Sequence, residues 1–443
     1  MAIIKKHIDE TKKYSFPRDA KAIPFDGKII VISAHNINWI VLENEEQLDF
    51  FKLLQEHSIK DSLERFEGDV GNAQYCVLQV EAKRFEEREH QRDSNAPFKL
   101  HLYLTNECNL RCRHCYMFAG ERDDNEMSTD QIFHLLSEFK LHNGLRVVFS
   151  GGEVSVRNDF GHILKYTHEI GLKTSVLTNG VSWSKEMVND LYKYIDEIQI
   201  SVDGYSEETN ASIRGRHIYE KALCTVDRFV KKGVPTSIGC TPIINESFKL
   251  NYNNYISWGK SLVDKYKGQN FHITFSGDLM DGRDVHISTE EREEMQQIVD
   301  KIYEGVYGRS KDDLFVSAMK RGTLNDNCTF GMPTIASNGD VYLCSRVPSL
   351  KSIGNVKEDS FDSIMQRCKE ARKFSNVDHL KPCQSCELKY ICGGDCRIKY
   401  FDALKDGVCS VKIDDAQPHR RCTREWKEQY LALLVRVNER LFQ

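Results

Sequence analysis

Short apolar runs and longer amphipathic segments alternate along most of this chain, and the manner of alternation changes twice. Near the start, residues 20–24, 28–33 and 38–42 are enriched in Ile and Val and read as three strands, with Asp26-Gly27 as a tight hairpin turn between the first two. Asn44 caps a helix whose apolar positions Leu48, Phe51, Leu53 and Leu54 fall near helical spacing, and further helices are expected at 59–66 and 70–83. Three strands followed by three helices make a small winged-helix-like α+β unit. A densely charged stretch, 84–97, ends at Pro97 and reads as a linker. From 98 to about 310 the pattern becomes regular, with strands at 99–104, 146–150, 173–177, 197–202, 236–241 and 271–275 and helices between them. One of these helices opens on the capping box Ser128-Thr-Asp-Gln131 and runs to about Leu141. Beyond about 320 cysteines crowd, Ser337-Asn-Gly-Asp340 reads as a hairpin turn, and 423–442 reads as an amphipathic helix that packs. The expected domains are 1–92, 98–310 and 320–443.

Six strand–helix repeats predict an α/β fold with a parallel sheet, either doubly wound or closed into a partial (β/α)6 TIM-like barrel. In both forms function collects at the C-terminal ends of the strands. Four of those ends carry polar or glycine residues. Cys108-Asn-Leu-Arg-Cys112-Arg-His114-Cys115 follows the first strand, Gly151-Gly152-Glu153 the second and Thr178-Asn179-Gly180 the third, while Ser201-Val-Asp203-Gly204 closes the fourth. Thiolates are soft ligands that suit iron–sulfur clusters, zinc and Cu(I). Three cysteines within eight residues leave one corner of a four-iron cluster without a protein ligand, whereas structural zinc is normally closed by four ligands. A redox-active iron cluster with an open position is therefore expected. A Gly-Gly pair by itself is most often a turn, as is Asp203-Gly204. After a strand, the pair lets a ligand approach the backbone, and Glu153 adds a carboxylate that accepts from an ammonium group. Arg214 is suited to holding a carboxylate, against the plainer reading of a solvated surface charge.

Composition narrows the class. Lys and Arg number 61 against 66 Asp and Glu, a net charge of −5, so no basic excess attracts nucleic acid. The acidic helix start Glu43-Asn44-Glu45-Glu46 argues against gripping DNA phosphates, and the strand edge beside it suits an extended peptide docked by β-augmentation. A mean hydropathy of −0.50 and the lack of a long apolar run give no membrane span. The first residues have no apolar signal-peptide core, so a cytoplasmic location is expected. In that compartment 15 cysteines do not form a disulfide framework. Cys76, Cys224, Cys240 and Cys368 are scattered and read as small buried hydrophobes. The second group is Cys328, Cys344, Cys383, Cys386, Cys392, Cys396, Cys409 and Cys422, enough for two four-iron clusters. Paired cysteines on a hairpin also hold structural zinc, which makes a zinc-stabilised binding module the non-enzyme alternative.

With both cysteine groups in view, the chain from about 98 to 430 resembles a radical S-adenosylmethionine enzyme with a C-terminal SPASM domain. Cys108, Cys112 and Cys115 match that family's three-cysteine motif, Gly151-Gly152-Glu153 its methionine-binding motif, and Cys328 through Cys422 the SPASM spacing. Residues 1–90 resemble the small PqqD-like precursor-peptide recognition domain of peptide-modifying members. The resemblance implies three [4Fe-4S] clusters. Cys108, Cys112 and Cys115 would hold the first, whose fourth iron is chelated by S-adenosylmethionine. Gly151, Gly152, Glu153 and Asn179 would contact that molecule, and Ser201 and Arg214 would hold its methionine carboxylate. Reductive cleavage would yield a 5′-deoxyadenosyl radical that takes hydrogen from an unactivated carbon, a step that requires no side-chain acid or base.

By the same analogy Cys328, Cys344 and Cys396 bind auxiliary cluster I, and Cys383, Cys386, Cys392 and Cys422 bind auxiliary cluster II. Relatives often have a further cysteine just before the first of these, but residues 316–327 contain none. Either cluster I has an open iron, which would suit thioether formation, or Cys409 completes it. Sulfatase-maturing relatives place a proton-accepting aspartate after the cysteine matching Cys344, where this chain has Ser345. The function expected is therefore maturation of a ribosomally made peptide, whose leader binds the N-terminal unit and whose core gains a thioether or carbon–carbon crosslink. A flavodoxin- or ferredoxin-type protein would supply electrons, with no nucleic acid or membrane as partner. Sulfatase or dehydrogenase maturation is the alternative.

Overall fold

The computed structural model describes residues 8–87, 98–309, 328–347, 350–400 and 422–442. Strands β1 (Lys21–Phe25), β2 (Lys28–Ser33) and β3 (Asn38–Leu42) form an antiparallel sheet in that order. Asp26 and Gly27 both have positive φ, 50° and 73°, as the two-residue type I′ hairpin requires. Helices α1 (Glu45–Glu56), α2 (Ile59–Arg65) and α3 (Val70–Lys83) follow. The Asn44 side chain accepts from the Gln47 N–H at 3.0 Å, and Asp69 accepts from the Gly71 N–H at 2.8 Å, satisfying amides left open at two helix starts. Alternation along β2 and β3 sends Ile29, Val31, Ile40 and Leu42 toward these helices, where they join Phe50, Leu54 and Val80.

The opposite face of this sheet is buried as well. Ile30, Ile32, Trp39 and Val41 share a core with Leu380, Leu388, Leu434 and Val437 from the C-terminal part. The last helix, Arg424–Phe442, seals the contact. Trp39 Nε1 donates to the Leu434 carbonyl at 3.0 Å, Asn438 donates to Gln79 at 3.0 Å, and Lys28 pairs with Glu439 at 2.9 Å. The helix expected simply to pack thus packs on the N-terminal sheet.

Strands β4 (Lys99–Tyr103), β5 (Arg146–Ser150), β6 (Lys173–Thr178), β7 (Glu197–Ser201), β8 (Thr236–Cys240) and β9 (Phe271–Phe275) lie side by side, parallel and in chain order. Between and after them run α4 (Thr129–Leu141), α5 (Phe160–Glu169), α6 (Lys185–Leu191), α7 (Glu207–Arg214), α8 (Tyr219–Lys231), α9 (Glu246–Lys265) and α10 (Thr289–Tyr307). A doubly wound sheet reverses its strand order at a switch point; this one does not, so the fold is the partial barrel. Its capping box is in place, with the Ser128 and Gln131 side chains each bonded to the other's backbone N–H.

The sheet also grows past its first strand. β10 (Thr334–Ile335) pairs parallel with β4, and β11 (Asp340–Tyr342) and β12 (Gly354–Asn355) continue it antiparallel, giving nine strands in all. Helices α11 (Phe361–Phe374) and α12 (Arg424–Phe442) complete the described chain, apart from single turns. No described helix is long and apolar enough to cross a membrane. Cys76, Cys240 and Cys368 are buried as expected, but Cys224 is exposed. It sits on α8 off the buried face formed by Ala222, Thr225, Val226, Phe229 and Val230, so helical phase turns it outward.

Candidate active site

The ends of β4, β5, β6 and β7 open into one cleft of about 1050 Å³, its open mouth included, lined by Cys108, Cys112 and Cys115. Gly151, Gly152, Asn179, Ser201 and Arg214 line it too, so eight of the nine residues assigned to the barrel site by sequence converge there. The loop that carries the thiols is fixed by its own backbone. Cys108 N–H donates to Gly120 O at 2.8 Å, Arg113 N–H to Ile213 O at 2.9 Å, and Asp284 N–H to Arg113 O at 2.7 Å. Asn179 donates to Asn109 Oδ1 at 2.7 Å and lies 4.0 Å from Cys108 Sγ.

The glycine pair admits the chain's own backbone. At Gly151, with φ of 128°, a Cβ would lie 2.4 Å from Thr105 O, and at Gly152 2.1 Å from Glu107 O. Gly152 and Glu153 donate to those same carbonyls at 2.7 and 2.8 Å, so the β5 loop clamps the root of the cysteine loop. Gly152→Ala should therefore displace Cys108, at about 1–3 kcal/mol of overpacking strain. Its cleavage of S-adenosylmethionine, followed by chromatography, should drop at least about tenfold, the factor that 1.4 kcal/mol represents.

Glu153 is the ninth of the residues assigned by sequence and is not part of the cleft lining. Its buried carboxylate, expected to accept from an ammonium group, is turned to the end of β6. It accepts from Ser155 N–H and Oγ at 3.1 and 2.6 Å, from Thr178 Oγ1 at 2.6 Å and from Asn179 N–H at 2.7 Å. Those donors are satisfied only there, so the side chain braces two strand ends.

Asp203, read as part of a turn, is the electrostatic pivot. Fully buried, its carboxylate accepts from Arg214 Nε at 2.5 Å, His114 Nε2 at 2.8 Å and Thr241 N–H at 2.7 Å. Burial alone would raise its pKa, but Arg214 and His114 outweigh that and bring it to about 2. Held this way, Arg214 presents Nη1 3.9 Å from Cys112 Sγ, on the cleft wall.

The C-terminal cysteines fall into two sets. Cys383, Cys386, Cys392 and Cys422 line one small cavity with Trp426 and Lys427. Cys344 lies within electrostatic reach of Cys328 and Cys396 on the other side. Between the sets stands Arg397, fully buried, donating to the carbonyls of Ser375, Gly393 and Asp395 and close enough to act on Cys328, Cys383, Cys392 and Cys396. Neither Arg397 nor Asp203 was singled out from sequence. A lone Arg or Asp carries no sign of whether it is buried. Cys409 lies outside the described residues. Burial pushes the Cys108 and Cys344 thiols up to about 11 and Cys383 to about 12, so metal loading must displace protons from all three. The donor chemistry fits iron–sulfur clusters: grouped free thiols, with a buried cation beside each main group to offset thiolate charge.

Residues 102–249 match the radical SAM superfamily, and residues 328–387 match the SPASM iron–sulfur cluster-binding domain. The chain is a radical SAM enzyme with a SPASM domain, and it uses S-adenosylmethionine and iron–sulfur clusters. Among curated relatives, the mycofactocin maturase MftC of Mycolicibacterium smegmatis is 27% identical over 71% of this chain and 82% of its own. The AdoMet-dependent heme synthase of Methanosarcina barkeri is also 27% identical, over 71% and 95%. The subtilosin biosynthesis protein AlbA of Bacillus subtilis is 26% identical over 71% of each chain. Among solved structures, native anSMEcpe with bound AdoMet superposes with a TM-score of 0.58 at 17% identity, covering 78% of this chain and 99% of that one, and shares the fold.

Proposed function

We propose that this enzyme is a maturase of a ribosomally made peptide, in which it forms a thioether or carbon–carbon crosslink. The observation that carries this reading is the short path between the two cysteine regions. Tyr116, next to Cys115, places its hydroxyl 3.1 Å from that of Tyr103, which donates at 2.6 Å to the carbonyl of Ser345, next to Cys344. Crosslinking by oxidation must dispose of an electron once a hydrogen atom has left, and a second thiol-bound centre at that reach serves the purpose. Cys108, Cys112 and Cys115 would hold the first cluster, with Arg214, Ser201 and Asn179 around its S-adenosylmethionine. Bound there, the pair supplies a one-electron route to removing hydrogen from an unactivated C–H bond. The protein's part is to orient and seclude. Asp203 fixes Arg214, Gly151 and Gly152 seat the thiol loop, and the tyrosine pair closes the wall between the two regions.

The N-terminal sheet would bind the leader segment. Among the described residues its outer strands β1 and β3 each have a single strand partner, leaving an edge for an extended peptide. Removing residues 1–90 would uncover the apolar surface around Leu434, so substitutions along β1 and β3 are the cleaner test of leader affinity. Electrons would come from a flavodoxin- or ferredoxin-type donor. The MftC and AlbA likenesses support a peptide substrate; the heme synthase likeness makes a tetrapyrrole the rival.

Mass spectrometry decides. Anaerobic reaction with a candidate precursor peptide, drawn from short reading frames neighbouring this chain's gene, should remove two hydrogens for each crosslink. Unchanged mass in water with deuterium gained in heavy water would mean epimerisation instead. An unaltered peptide under both conditions would overturn the reading.

A further inference from the structure

Asp278, in the loop after β9, is the one carboxylate among the described residues that lines the cleft. Its side chain forms an ion pair with Arg346, two residues beyond Cys344, so it joins the barrel mouth to the cysteine hairpin. The loop that carries it is held against the thiol loop. Arg283 N–H donates to Cys115 O at 3.3 Å, and a Cβ on Gly282 would lie 2.6 Å from the His114 carbonyl. Arg292, on α10, donates to the carbonyl of Leu279, the residue after Asp278. Of the other groups at the cleft, Glu153 is turned to the β6 end, and His114 donates through Nε2 to Asp203 while its buried Nδ1 has no hydrogen-bond partner among the described residues.

We propose that Asp278 is the catalytic carboxylate of this cleft, accepting the proton that leaves the peptide during crosslinking, with Arg346 as its positioning residue. The proposal rests on the maturase reading. A crosslink forms a C–S or C–C bond at the expense of one C–H bond and one S–H or second C–H bond. One hydrogen leaves as an atom and ends in 5′-deoxyadenosine. The other leaves as a proton, which Asp278 takes, and an electron, which passes to an iron–sulfur centre on the Cys344 side as one-electron acceptor. Proton and electron then leave toward the same side of the cleft, so little charge is separated across it.

The test uses the full-length reconstituted enzyme and the gene-adjacent peptide deuterated at the target carbon. Asp278→Asn should keep peptide affinity, the S-adenosylmethionine-dependent EPR signal and deuterium transfer into 5′-deoxyadenosine. Crosslinked product should fall about 100-fold or more, the usual yield of a general base. Asp278→Glu should recover at least about a tenth of the product, because it restores the carboxylate one methylene further out. Product at the wild-type rate in Asp278→Asn would overturn the assignment. So would loss of the EPR signal together with product, which would mark a structural role. A wild type that leaves the peptide unaltered, or only epimerises it, would overturn the crosslinking reading and this assignment with it.

Discussion

Replacing Cys108, Cys112 and Cys115 together by alanine should abolish cleavage of S-adenosylmethionine while leaving the chain folded. If each thiol group holds a four-iron cluster, iron should fall by about a third, from about twelve to about eight per chain. The fold should survive because the loop does not depend on the thiols for its path. Backbone bonds to Gly120, Ile213 and Asp284 set it, and Arg111 adds bonds to the Cys108 carbonyl at 2.6 Å and to Glu121 at 2.5 Å. Only Cys112 is buried, so the packing lost is small, about 1 kcal/mol for each substitution at most. Iron and sulfide analysis beside circular dichroism reads both halves. Full iron retention would show that the loop is not a cluster site; loss of all iron would show that the C-terminal sets depend on it.

Much of this arrangement was legible in the chain. The six barrel strands lie within a residue or so of where the apolar runs put them, because each sends regularly spaced apolar side chains, such as Val147 and Phe149 of β5 and Ile198 and Ile200 of β7, into the core. Turn chemistry was equally readable: Asp26-Gly27 and the Ser128–Gln131 box act through local backbone geometry that nothing distant can override. The docking of the N-terminal sheet left a sign, the unbroken Ile29-Ile30-Val31-Ile32 run, which marks a strand buried on both faces. What covers the second face is some 400 residues away and left none. Asp203 was hidden for a related reason: its role exists only once His114, Arg214 and Thr241, from three separate segments, converge on it. Glu153 shows the converse. A motif gave its position, but its oxygens went to the nearest unsatisfied donors, Ser155, Thr178 and Asn179, which only the folded strand ends supply.

Asp203→Asn should have the largest effect of any single substitution in the barrel. The amide keeps the shape but removes the charge, leaving the Arg214 guanidinium, itself raised in pKa by Asp203, buried without its counter-ion. Breaking a buried pair from one side costs about 3–5 kcal/mol, far more than the pair contributes over an apolar replacement. Arg214 would also lose the contact that aims it into the cleft, so affinity for S-adenosylmethionine should weaken at least about tenfold, or 1.4 kcal/mol. Acid should distinguish the charge from the shape. With its pKa brought down from 3.8 to about 2, the Asp203 carboxylate stabilises the fold at every pH above about 4. That contribution, about 2 kcal/mol, drains away as pH falls through the folded value. Urea midpoints of the metal-free wild type should therefore drop between about pH 4 and pH 2, and those of Asp203→Asn should lack this component while starting lower. Equal acid slopes in the two proteins would mean that Arg214 is not held by charge, and a variant that binds S-adenosylmethionine as tightly as the wild type would remove Asp203 from the site.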